Sequence, residues 1–126
     1  MPSERTGSFG EHAAPSPVDR LGTWWGRAAF GRRVGPLTAK RVADLGCGYD
    51  AALARSIAAD VASVTLVDLA LNPELEALPN ATLVRGQLPQ ALADLDEQSF
   101  DVVVLSSVLE HLDDDQGPLT ACHRLL

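Results

Sequence analysis

The stretch VADLGCGYD, residues Val42 to Asp50, decides how this chain is read. Val42, Ala43 and Leu45 form an apolar run with an acid, Asp44, inside it. The run breaks at Gly46-Cys47-Gly48 and meets a second acid, Asp50. An apolar run that stops at glycine reads as a buried strand giving way to a tight turn. Glycine accepts backbone angles that a Cβ forbids, and it leaves room for another group to approach the main chain.

Working outward, AALARSIAA (51–59) is an Ala-rich helix, with Asp50 placed to cap its first turn. SVTLVDL (63–69), ATLVRG (81–86) and FDVVVLSS (100–107) read as three more strands. The last is apolar without interruption, as in a strand buried on both faces. Asn72-Pro73 opens a turn or short helix through Leu78, and Leu88 to Leu95 suits a short helix. VLEHL and GPLTACHRLL also read as helical. Strands alternating with helices predict the α/β class: a Rossmann-like, doubly wound parallel sheet with right-handed crossovers.

Upstream, residues 1–17 are rich in Ser, Gly and Pro and read as a mobile tail. Residues 18–34 carry Leu21, Trp24, Trp25 and Ala28 at helical spacing, although Gly22, Gly26 and Gly31 each cost a helix roughly 1 kcal/mol against Ala. Two units are therefore expected: a tail and helical arm over 1–34, and a Rossmann-like domain over 35–126.

The 126 residues suit one domain with a modest core, and 46% of them are hydrophobic. Seventeen acids against ten basic residues give a net charge of −7. That argues against nucleic acid as a partner, because phosphate binding needs Lys and Arg to replace counterions. The charge is uneven: residues 1–41 sum to +4 and residues 42–126 to −11. A basic arm docked on an acidic body is the simplest account. The two cysteines, Cys47 and Cys122, form neither a metal-ligand spacing nor a disulfide framework. MPSERTGSFGEHAAPSP lacks the apolar core of a signal peptide, and no run reaches transmembrane length. A reduced, soluble, cytoplasmic protein without a membrane partner is expected.

In a doubly wound sheet, ligands bind beyond the carboxyl ends of the strands, where the strand order reverses. The first strand-to-helix turn carries Gly46 and Gly48, and the second strand ends in Asp68, twenty residues after Gly48. A carboxylate there accepts hydrogen bonds from the vicinal hydroxyls of a ribose, which points to an adenosine-containing cofactor. Gly46, Gly48 and Ala51 also satisfy the looser nicotinamide pattern G-x-G-x-x-G/A. Asp44 and Asp50 weigh against it, since carboxylates beside the turn oppose a pyrophosphate. They favour a cationic cofactor bearing an ammonium and a sulfonium.

VADLGCGYD, followed by LVDL and FDVVVLSSVLEHL, resembles the class I S-adenosylmethionine-dependent methyltransferases. The family motif D-x-G-x-G-x-G is matched by Asp44, Gly46 and Gly48, with Cys47 between the glycines, and it departs at Asp50. The resemblance covers about Val42 to Leu126. It implies that Asp68 holds the ribose, that Leu69 lies against the adenine, that Gln87 stands near the adenine amine, and that Ser106 ends the fourth strand beside the cofactor. It also implies the strand order 3-2-1-4 and, in relatives, a seven-stranded sheet. This chain supplies four of those strands, so it is expected to be a truncated or partial domain. An apolar fourth strand left at a sheet edge invites self-association.

The resemblance implies methyl transfer from S-adenosyl-L-methionine to an unidentified acceptor. The acidic body favours a small molecule, with a protein second. Two alternatives stand beside it: a cofactor-binding module or inactive fragment, and an NAD-dependent oxidoreductase. No catalytic residue is assigned, because the cofactor carries the reactivity and the protein mainly aligns the acceptor. No metal site is expected. Glu110 and His111 read as pocket-shaping rather than catalytic, and Asp113-Asp114-Asp115 as a solvated turn. Cys47 reads as a packing residue, while His12 and His123 carry no role. Trp24 and Trp25, with Arg27, Arg32 and Arg33 nearby, are expected to pack on the acidic body as a lid or wall at the cofactor mouth.

Overall fold

The computed structural model describes residues 7, 8, 11, 14, 16–105 and 116–126. Four strands, β1 (Arg41–Leu45), β2 (Ser63–Asp68), β3 (Ala81–Arg85) and β4 (Val102–Leu105), form one parallel sheet. Their order is β3-β2-β1-β4, as expected for a Rossmann-like fold. Among the described residues three α-helices accompany them: α1 (Pro17–Val34), α2 (Ala52–Ile57) and α3 (Gln116–Leu125). The segments 73–77 and 90–92, read as short helices, are single 3-10 turns.

The sheet is wound on both faces, and strand alternation shows why. Val42, Val64, Leu66, Ala81, Leu83, Val102 and Val104 share one core with Ala54 and Ile57 of α2. The intervening residues, Ala43, Leu45, Val67, Val84, Val103 and Leu105, share a second core with Leu92, Phe100 and Leu125. Successive side chains of a strand point to opposite faces, so apolar residues at both parities demand cover on both sides. Arg124 of α3 fastens the second layer by donating to the carbonyls of Leu92 and Leu95, each at 2.7 Å. β4 is half-buried along its whole length. It pairs with β1 on one side and has no strand on the other among the described residues.

α1 starts with a capping box. The Asp19 amide donates to Ser16 Oγ, the Ser16 amide donates back to the Asp19 carboxylate, and Pro17 occupies the first turn. The helix docks through Phe30, which packs on the α2 side of the sheet, and through an exposed Arg27–Asp60 ion pair at 3.2 Å. The tryptophans do not pack on the body as expected. Trp24 and Trp25 are 62% and 60% exposed and stack edge-on against each other at 5.4 Å. At about 100° per residue they sit roughly 120–140° around the helix from Phe30, so docking by Phe30 turns them outward.

One further expectation is corrected. Asp50 does not cap α2. Ala51 takes a left-handed conformation at φ 46°, its amide donates to the Gly48 carbonyl at 3.2 Å, and the helix begins without a side-chain cap. This extra tight turn leaves the Asp50 carboxylate to accept from Asn72 Nδ2 at 2.8 Å. Within the stretch read as a tail, Ser8 is buried against the end of β2.

Candidate functional site

β1 lies between β2 and β4, and the chain leaves it toward β2 and later returns to β4 on its other side. Its carboxyl end is therefore the point where the winding reverses, the place at which sheets of this kind bind their ligands. The loop after β1 fills that position. Gly46 and Gly48 hold φ of 72° and 81°, values that side-chain-bearing residues rarely adopt. The Gly46 amide donates to the Val67 carbonyl at 2.7 Å, which folds the turn over the end of β2.

Asp68, the last residue of β2, is 3% exposed. Its Oδ2 accepts from the Gly48 amide at 2.8 Å, and its Oδ1 accepts from the Leu69 amide at 2.7 Å and from Ser8 Oγ at 2.6 Å. The glycine turn and the second-strand acid, read from the sequence as two separate signals, are thus joined by a direct hydrogen bond. Asp44, also 3% exposed, belongs to the same strand parity as Val42. Burial, and secondarily the charge of Asp68, push its carboxyl up to about 7. Two buried acids on adjacent strands disfavour an anion between them.

Cys47 packs against the α2-side core, and burial followed by the two acids pushes its thiol far up. It stays protonated and serves packing, not nucleophilic chemistry. Leu69 is half-buried beside Asp68, and its amide is engaged as above. Gln87 is exposed just past Gly86, whose amide donates to the Asp68 carbonyl at 3.0 Å. That places Gln87 just past the carboxyl end of β3. Ser106, Glu110, His111 and Asp113–Asp115 lie outside the described residues, as does His12. His123 is exposed on α3. Among the described residues, no three His, Cys, Asp or Glu side chains gather as metal ligands.

Two residues at the site were not read from the sequence. Asn72 ties the loop to the second crossover, its amide donating to the Tyr49 carbonyl at 2.9 Å and its side chain to Asp50. Asn72-Pro73 was legible as a turn, but nothing local identified Asp50 as its partner. Ser8 reaches Asp68 from sixty residues away and carries no motif at all.

A family model described as a methyltransferase domain matches residues 43–126, which include Asp44, the glycine turn and Asp68. The chain belongs to this methyltransferase domain family. The domain is 38% identical over 98 residues to a ubiquinone biosynthesis O-methyltransferase of Paracidovorax citrulli, covering 72% of this chain and 41% of that one. It is 36% identical over 97 residues to the protein of the same name from Vibrio atlanticus, covering 71% and 40%. The chain thus spans about two fifths of the length of these curated relatives. Among solved structures, an S-adenosylmethionine-dependent methyltransferase from Archaeoglobus fulgidus matches with a TM-score of 0.60 at 21% identity, covering 82% of this chain and 48% of that one. The YcgJ protein of Bacillus subtilis matches with a TM-score of 0.65 at 18% identity, covering 82% and 46%. At those identities the likeness carries the fold of the methyltransferase domain. No helix among the described residues is long and apolar enough to cross a membrane.

Proposed function

We propose that this chain is the cofactor-binding part of an enzyme that transfers a methyl group from S-adenosyl-L-methionine to an oxygen of a small-molecule acceptor. The observation that carries the reading is the buried carboxylate of Asp68, fixed at the end of β2 by the Gly48 amide at 2.8 Å. The residues suit this cofactor in three respects. Asp68 is an acceptor held in place for ribose hydroxyls, and the turn carries glycine, with no side chain in a ligand's way, at its two positive-φ positions. Asp44 supplies a buried carboxyl that a nearby cation would draw into its charged form.

Leu69 would then lie against the adenine, Gln87 near its amine, and Ser106 at the end of the fourth strand. The cofactor, when bound, supplies an electrophilic methyl group on a sulfonium. The chain's own work is to orient it, to hold its positive charge beside Asp44, and to exclude water. The oxygen acceptor is inferred from the relatives named as O-methyltransferases of ubiquinone biosynthesis. A nicotinamide dinucleotide suits the site less well, because its pyrophosphate would meet two buried acids.

The test is calorimetric titration with S-adenosylhomocysteine, alongside NAD. Asp68→Ala is expected to weaken S-adenosylhomocysteine binding by about 2 kcal/mol or more, the worth of lost hydrogen bonds to a charged group. Unchanged affinity, or a preference for NAD, would overturn the reading.

A further inference from the structure

The acid that the cofactor reading assigns to the ribose already has an occupant from this chain. Ser8 Oγ donates to Asp68 Oδ1 at 2.6 Å and accepts from the Ala70 amide at 2.6 Å, and the residue is buried. The contact is prepared locally. The Ser8 amide donates to Glu11 Oε2 and the Glu11 amide donates to the Ser8 carbonyl, both at 3.2 Å, so a short reciprocal turn presents the hydroxyl.

A carboxylate offers about four acceptor positions. On Asp68, Ser8, Leu69 and Gly48 fill all but one of them. A ribose diol brings two hydroxyl donors, so both fit only when Ser8 withdraws. We propose that the N-terminal segment is an internal competitor for the cofactor pocket, with the Ser8 hydroxyl standing in for one ribose hydroxyl on Asp68. The inference rests on the cofactor reading above. Binding of an adenosine ligand and release of the segment are then one equilibrium, and the apparent affinity is lowered by the fraction of chains in the closed state. Ser8 and Asp68 are joined through their side chains alone, so the contact can open without breaking the sheet.

The experiment titrates S-adenosylhomocysteine by calorimetry into the intact chain, Ser8→Ala, Glu11→Ala and Asp68→Ala. It also follows hydrogen exchange of the N-terminal peptide by mass spectrometry. Ser8→Ala is expected to bind about five- to tenfold more tightly, as removal of one charge-assisted competitor implies. Glu11→Ala, which loosens the turn without touching Asp68, should shift affinity in the same direction by less. In the intact chain, ligand should speed exchange of the N-terminal peptide. Equal or weaker binding by Ser8→Ala, or slower exchange with ligand, overturns the competition while leaving the cofactor reading intact. No binding by any chain overturns the cofactor reading and this inference together.

Discussion

Asp44 and Asp68 are buried near each other on adjacent strands, in different surroundings. Asp68 accepts hydrogen bonds from Ser8, Gly48 and Leu69. Asp44 is governed first by burial and then by its neighbour's charge, which together push it up to about 7. The native state therefore keeps a proton on Asp44 that the unfolded chain has already released above its ordinary value of 3.8. Between those two values the unfolded chain binds fewer protons, so stability falls as pH rises, by at most about 1.4 kcal/mol per pH unit, and levels off above about 7. Asp44→Asn should remove this slope, as urea melts at pH 5 and pH 8 would reveal. A cationic ligand needs the carboxylate form, so affinity for S-adenosylmethionine should rise with pH through the same window and be lost in Asp44→Asn. A site acid that costs the empty chain stability while favouring the ligand is the pattern expected of a functional residue.

Among the elements, α1 separates apparent from actual importance. Its two tryptophans are its largest apolar side chains, and both face outward. Phe30 makes the core contact. Phe30→Ala should cost about 1–3 kcal/mol through lost burial, whereas Trp25→Ala should change stability by no more than about 0.5 kcal/mol. Thermal or urea unfolding of the two variants checks the contrast, and a reversed order would place the docking face of α1 elsewhere. The same lesson holds for the β1–α2 loop. The sequence identified its glycines and acids, but it assigned Asp50 to the wrong partner. Capping was argued from the nearest helix, and the left-handed turn at Ala51 hands the carboxylate to Asn72 instead.

At the scale of the whole molecule, the sheet is covered on both faces, and among the described residues β3 and β4 are its two edges. β4 offers an outer row of backbone donors and acceptors flanked by Val102 to Leu105, all half-buried. An apolar edge of that kind pairs readily with another chain. The 126-residue chain is therefore expected to associate as its concentration rises, and sedimentation velocity over a wide concentration range would detect it. A single monomeric species throughout would mean that the edge is protected.

The sequence by itself determined the class of fold, the strand order through its family resemblance, and the glycine turn and second-strand acid at the site. Each of these rests on short-range information: apolar alternation along a strand, a backbone angle that glycine permits, an acid at a strand end. Only the tertiary structure decided that Gly48 and Asp68 bond directly, that Phe30 rather than the tryptophans docks α1, and that Ser8 sits on Asp68. Those outcomes join residues twenty to sixty positions apart, and they depend on strand register and loop closure. A single hydroxyl in a Ser- and Gly-rich stretch looks the same in sequence whether it is solvated or buried. Its role exists only once the sheet brings Asp68 and the Ala70 amide to one point.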